Sequence, residues 1–407
     1  MFPIKQAILC LLLLVFFWAS DSIAQEPVKV GFLFWMSGRT GAAGELAKNG
    51  AQVALQELNK SGGIQGRKLV AFFADSQGDP KIAGQAFAKL VKDKGVNVVI
   101  GVQADEVAPV LADLALQYKV PLIITEAQSN IVTGGKCNRY TFRICLDNRY
   151  NARIGAILAG RTDAKKWTAC LLNNTEGREL WSDFKAHFRK IKPDAVFLER
   201  AGEVFVDKKS PEWKRNVTGI LKSDAQGVLV SLDSTDFVDF IKFGNSQGLF
   251  NNKREFVVLR VSPVALFALG FNMPAGIWCS SPYQFNANGS TINMKFVGTY
   301  KKAFGFFPSW HAHFAYAGVK AYAEAAYIAG SLDANPIIDA LEHLKIELPL
   351  GKVTIRGADH QAIMHSLGGR TGRVGIDRNV TFRDLENMTV FRAKEFTQPG
   401  EEKVCSR

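Results

Sequence analysis

Residues 28–40, VKVGFLFWMSGRT, decide the reading of the fold. VKVGFLF is a short apolar strand, and Ser37-Gly38 breaks it before a helical pattern begins. A strand that halts at a small polar turn and feeds a helix leaves backbone N–H groups free at its carboxyl end. In open α/β sheets, ligands are held there. The stretch points to capture of a small molecule more than to its transformation.

Upstream, residues 1–24 read as an export signal. Lys5 gives a positive start, Ala7–Ala19 is apolar, and Ser22-Ile23-Ala24 is a small-residue cleavage site. Cys10 lies inside the apolar run rather than after it, so a lipid anchor is not expected. Cleavage after Ala24 would leave enough of the 407-residue chain for two domains in the periplasm. No later apolar stretch has the length to cross a bilayer, so the mature chain is expected to be soluble.

Downstream, strand-like runs alternate with helical patterns. VKVGFLF leads to a helix over Gly44–Asn59, KLVAFFAD to a helix over Pro80–Lys94, and NVVIGV to a helix over Val107–Tyr118 before the strand PLIIT. The series then repeats. TACLLNN, Asp194–Leu198, Gly227–Ser231 and Glu255–Arg260 read as strands, with helices such as Arg178–Lys190 and Thr235–Phe243 between them. This pattern predicts an α/β fold of mostly parallel sheets flanked by helices. Two modules of about 120 residues each fit two lobes. After Cys279 come helices over Ala312–Ala329 and Asn335–Leu344, and the chain closes in irregular or strand-like pieces. No low-complexity linker separates the halves, so several short crossovers are expected, as a hinged cleft needs.

Fifty Lys+Arg against 38 Asp+Glu give a net charge of +12. The basic residues are spread, without the basic-aromatic stripe of a nucleic-acid binder, so no nucleic-acid partner is expected. Cys137, Cys145, Cys170, Cys279 and Cys405 remain after cleavage, an odd number in a compartment that permits disulfides. Cys137 and Cys145 flank NRYTFRI and are one local pairing among several.

Catalytic and metal motifs fail on context. Gly244-Asn245-Ser246-Gln247-Gly248 matches G-x-S-x-G, but helical DFVDFIKF precedes it and strand-like REFVVL follows. A nucleophile elbow needs the reverse order. The segment reads as a helix C-cap with a left-handed glycine at 244 or 248. His311 and His313 are two apart and diverge on a helix, while His360 and His365 sit in a polar tail. No metal, cofactor or enzymatic activity is expected.

Candidate site residues lie at strand carboxyl ends: Trp35, Gln103, Asp105, Ala127 and Ser129 in the first half, and Glu176, Asp233 and Arg260 in the second. Helix N-termini at Asp105 and Ser129 would offer N–H donors to an anion. Trp35 would supply an apolar wall, Asp105, Asp233 and Glu176 would meet a cation or hydroxyl, and Arg260 a carboxylate. Capping alone is the competing role for Asp105, Ser129 and Asp233.

Residues 28–80 resemble the amino-terminal signature of type I periplasmic solute-binding proteins of ABC transporters, in the branched-chain amino-acid-binding group. VNVVIGV, VPLIIT, RYTFR, the Pro308-to-Tyr316 segment and GKVTIRGADHQ extend the resemblance over Val28–Arg378. It implies a type I two-lobed fold with a ligand cleft. Residues 25–147 and 281–355 would form the N-terminal lobe, and 148–280 and 356–407 the C-terminal lobe. It also implies a monomer that delivers a small polar metabolite, an amino acid or related amide or acid, to permease subunits. A sensing module of the same fold is the alternative. By order, the family's carboxylate-holding positions fall on Asp105, Ala127 and Ser129, and its ammonium and side-chain contacts on Glu176, Asp233 and Arg260. Three positions depart from the family pattern: Asp105 for a serine, Ala43 for a tyrosine, and Arg260 for an acid.

Overall fold

The computed structural model describes residues 25–199, 204–206, 213–251, 253–377, 380–397 and 404–405. The expected export signal lies outside them. The first sheet contains β1 (Val28–Phe34), β2 (Leu69–Asp75), β3 (Val98–Gly101), β4 (Leu122–Ile124) and β5 (Thr141–Arg143), in the order β2-β1-β3-β4-β5 and all parallel. Along β1 every side chain but that of Lys29 is buried. That is the pattern of a parallel strand covered on both faces. The chain leaves β1 toward β2 on one side and returns to β3 on the other. The carboxyl ends of β1 and β3 therefore flank a switch point, where a crevice opens.

The second sheet begins with parallel strands β6 (Lys166–Leu172), β7 (Val196–Phe197), β8 (Phe205–Val206), β9 (Gly227–Ser231), β10 (Glu255–Val258) and β11 (Trp278–Ser281). A small antiparallel sheet, β12 (Lys345–Leu348), β13 (Gly351–Ile355) and β14 (Ala362–Ile363), follows. The chain then rejoins the second sheet as a long hairpin, β15 (Ser366–Asp377) and β16 (Val380–Phe391), which adds an antiparallel edge beside β11. Gln361 bridges to Arg143 of β5, so the return to the second sheet comes at Ser366 and not at residue 356. The backbone passes between the sheets three times: after β5, after β11 and after β14.

The closing pieces, expected as irregular or strand-like, form a hairpin with register shifts between Gly368 and Arg370 and between Thr371 and Arg373. An ideal Cβ on Gly375 would lie 2.5 Å from the Phe382 ring, and one on Gly368 2.4 Å from Phe391. Aromatic rings on β16 cover the bare backbone of β15, and a side chain there would displace them.

The helix Trp310–Ala329 packs against Gly41–Lys60 so closely that an ideal Cβ on Gly50 would sit 2.0 Å from the Ala312 carbonyl oxygen. Ser309 caps its amino end by accepting from the Ala312 N–H. This close approach seats Trp310 and His311 beside the first-lobe loops. The G-x-S-x-G segment ends the helix Ser234–Ser246, with Gly248 at φ 69° as the left-handed residue.

Cys137 pairs with Cys405, not with Cys145, because the tail comes back against the first lobe, where the Cys405 N–H donates to the Ala358 carbonyl. Cys145, Cys170 and Cys279 are buried thiols whose pKa burial pushes up. His360 is likewise buried, stacked on Phe142 at 4.1 Å, and not in a solvated tail. Among the described residues, no helix is long and apolar enough to cross a membrane.

Candidate ligand-binding site

A cavity of about 310 Å³ opens where strand ends of the two sheets face each other. The first lobe contributes Thr40, Ala42, Ala43 and Leu46 from the start of Gly41–Lys60, Gln103 after β3, Glu126 after β4, and Trp310 and His311 from the head of the long helix. The second contributes Glu176, Asp233, Asp236 and Asp239, Arg260 after β10, and apolar residues of the helix Pro263–Leu269. Of the residues expected from sequence, the cavity wall holds Gln103, Glu176, Asp233 and Arg260.

Arg260 sits at φ 57°, in the left-handed region that a non-glycine residue seldom adopts. Its N–H donates to Ser280 Oγ at 3.1 Å. Its guanidinium forms an ion pair with Glu176 and donates to Ser231 Oγ at 3.1 Å. The side chain is 9% exposed, and Nε has no acceptor among the described residues. Across the cavity, Trp310 is 7% exposed, stacks on His311 at 3.6 Å, and its Nε1 also lacks an acceptor among the described residues. Two residues from opposite lobes, each with a buried donor that lacks an acceptor among the described residues, thus line one space.

The first-lobe wall is a relay of polar contacts. The Trp35 N–H donates to Gln103 Oε1 at 2.8 Å, Gln103 Nε2 donates to Glu126 Oε1 at 3.5 Å, and Glu126 Oε2 lies 2.6 Å from His311 Nδ1. On the other wall, Asp233 precedes the helix Ser234–Ser246, but its carboxylate does not cap it.

Trp35, Asp105, Ala127 and Ser129 are not on the cavity wall. The Trp35 indole lies over Gly78, where an ideal Cβ would be 2.4 Å from the ring. Ala127 is fully buried and its N–H donates to the Val102 carbonyl. No helix starts at Ser129, and the helix Ala108–Tyr118 is preceded by Val107, not Asp105. Both residues belong instead to a network around Glu179, in the second turn of Thr175–Ile191. Glu179 accepts from Ser129 Oγ at 3.1 Å, the Asn130 N–H at 2.9 Å and Asn148 Nδ2 at 2.8 Å. Asp105 accepts from the Gln128 N–H at 2.5 Å and Asn148 Nδ2 at 2.9 Å. Burial, then the nearby Glu176 and Glu179 charges, pushes the Asp105 carboxyl up to about 7. Arg143 closes the network from below, with NH1 on the Ser129 carbonyl at 2.6 Å.

Glu126, Trp310, His311, Asp236 and Asp239 are the cavity residues that sequence reasoning missed. Ser309 before a long apolar helix carried the signal for Trp310 and His311, since first-turn residues of such a helix face the crevice when its end does. Glu126 adjoins the expected Ala127, and successive residues of one strand end point to different sides.

Comparison with known proteins agrees with this geometry. Residues 27–370 match the model of the periplasmic binding protein family. The Leu/Ile/Val-binding protein homolog 4 of Brucella melitensis is 23% identical over 83% of this chain and 82% of its own. A solute-binding protein of an ABC transporter from Rhodopseudomonas palustris BisB5, solved with 3,4-dihydroxybenzoic acid, superposes with a TM-score of 0.82 at 21% identity, covering 92% of this chain and 99% of that one. The branched-chain amino acid substrate-binding protein LivJ of Streptococcus pneumoniae, solved with isoleucine, gives a TM-score of 0.75 at 19% identity, covering 90% and 99%. The family is one of substrate-binding proteins and not enzymes. With a two-lobed α/β fold and a match over residues 27–370, this chain belongs to the periplasmic binding protein family and is similar to Leu/Ile/Val-binding members.

Proposed function

We propose that this protein is the extracytoplasmic solute-binding component of an ABC transporter and that its solute is an amino acid or a related acid bearing an amine or hydroxyl. It is exported with loss of residues 1–24, acts as a monomer in the periplasm and hands its solute to permease subunits. One observation carries the reading: Arg260 and Trp310, on opposite lobes, line one cavity, and each holds a buried donor, Nε and Nε1, without an acceptor among the described residues. A buried N–H left unpaired costs about 1–3 kcal/mol. A carboxylate has lone pairs enough for both donors. Asp233, Asp236 and Asp239 on the second-lobe wall suit an ammonium or hydroxyl. A solute that bridges both donors favours the state with the lobes together, so binding drives closure.

The names of the Leu/Ile/Val-binding relatives and the isoleucine-bound neighbour support an amino-acid head, and the dihydroxybenzoate-bound neighbour also carries a carboxylate. The test is a thermal-shift panel of amino acids, their amides and hydroxybenzoates. A solute at 100 times its Kd stabilises the folded protein by about 2.7 kcal/mol. Acids are expected to raise the melting temperature more than the matching amides. Equal shifts for acid and amide would remove the carboxylate from the account.

A further inference from the structure

Beside the polar chamber lies a second cavity of about 410 Å³, and Ala42, Leu46 and Val264 line both. The two spaces therefore adjoin. The second is walled by phenylalanine. Phe285 and Phe307, stacked at 3.9 Å, stand on the first-lobe side, and Phe267 and Phe382, edge to face at 5.8 Å, on the second. Phe267, Phe285 and Phe307 are half-buried, and Glu45 and Asn49 are the polar residues of the lining.

Small-molecule sites span about 300–1,000 Å³ and are mostly apolar with a few placed polar groups. The polar chamber alone is at the small end of that range and is rich in carboxylates. The phenylalanine chamber supplies the apolar part. Ala42, Leu46 and Val264 stand between the two spaces, and Ala42 offers no side chain beyond Cβ.

Building on the carboxylate-binding reading above, we infer that the solute is amphipathic. Its acidic head sits at Arg260 and Trp310, and an unbranched alkyl or aryl tail extends past Ala42 and Val264 into the phenylalanine chamber. The competing occupant is the protein itself, with the two phenylalanine pairs meeting as the lobes close.

Calorimetric titration of the protein with 2-aminobutyrate, norvaline, norleucine, 2-aminooctanoate and 2-amino-4-phenylbutyrate separates these. Tail burial predicts that affinity beyond norvaline rises about fourfold per added methylene. Phe267→Ala and Phe307→Ala would weaken the longest members by about tenfold and 2-aminobutyrate by less than about twofold. Short members that bind while longer ones bind no tighter overturn the tail chamber and leave the head-group reading standing. Variants that weaken short and long members alike assign the phenylalanines to lobe packing, with the same consequence. No binding by any member, short or long, counts against both readings. The length series on the unmodified protein decides the matter even where a variant fails to fold.

Discussion

The two lobes use their strand ends in opposite ways. In the first lobe the polar groups after β3 and β4 are largely consumed by the protein: Asp105 and Ser129 are tied into the network of Glu179, Asn148 and Arg143. In the second, the ends of β9 and β10 carry Asp233 and Arg260 to the cavity wall. In the first lobe, Glu179 and Asn148, carried on the helices Thr175–Ile191 and Asn148–Gly160, reach Ser129 and Asp105 and satisfy them. In the second, one donor of Arg260 has no acceptor among the described residues. A strand's carboxyl end is therefore a necessary address for a ligand and not a sufficient one.

That contrast predicts large stability effects from the first set and large affinity effects from the second. The largest loss should come from Arg143→Ala. Arg143 is fully buried and donates to Gln361, the Ser129 carbonyl and Thr133, with Asp147 at 3.7 Å. Removing it leaves Gln361 Oε1, the Ser129 carbonyl and the Thr133 hydroxyl without their buried donor, while Asp147 keeps Arg149 and the Tyr150 N–H; a loss of about 3–5 kcal/mol of unfolding free energy is expected by urea denaturation. A loss under about 1 kcal/mol would mean the network is not what joins the crossing segments.

Asp105 predicts a pH effect of fixed sign. Its carboxyl stays protonated in the folded chain up to about 7 but ionises near the usual carboxylate range when unfolded. Between those values the folded state holds the extra proton, so stability falls as pH rises toward 7, by up to about 4 kcal/mol. Asp105→Asn should flatten the melting profile between about pH 4 and 7 and leave solute affinity nearly unchanged. An equally steep profile in the variant would move the titration elsewhere.

Arg260→Gln should weaken solute binding by roughly 30-fold, the scale of a charge-assisted hydrogen bond of about 2 kcal/mol. Ser129→Ala should cost about 1 kcal/mol of stability and change affinity by less than about twofold. If calorimetry finds the reverse order, the assignment of the two strand-end sets is inverted. The smallest effect is Trp310→Phe, which keeps the ring and removes the donor. About fivefold weaker binding is expected, the equivalent of one neutral hydrogen bond at about 1 kcal/mol.

The α/β alternation and the first-lobe strand sequence were legible because strand and helix periods differ along the chain. Gln103, Glu176, Asp233 and Arg260 were legible because each follows a strand. Asp105, Ala127 and Ser129 follow strands as well, and only tertiary contacts, with Glu179 and Asn148 for Ser129 and Asp105 and with Val102 for Ala127, reveal that the protein uses them itself. Trp310 and His311 belong to a segment that returns to the first lobe after the second is built; Ser309 marks the helix start locally, and only the tertiary fold brings that start to the cavity. The closing hairpin was legible only as irregular or strand-like pieces because its glycines are compensated by Phe382 and Phe391 on the facing strand. The Cys137–Cys405 bridge joins residues 268 apart, a pairing that spacing does not select.

The most direct test is a crystal structure with the amino acid that gives the largest thermal shift. The account predicts its carboxylate within about 3 Å of Arg260 Nε and Trp310 Nε1, a hydrogen-bond distance, with the Glu179–Ser129 contact intact. A carboxylate bound instead at the Ser129 hydroxyl and the Asn130 N–H, with Glu179 displaced, would contradict it.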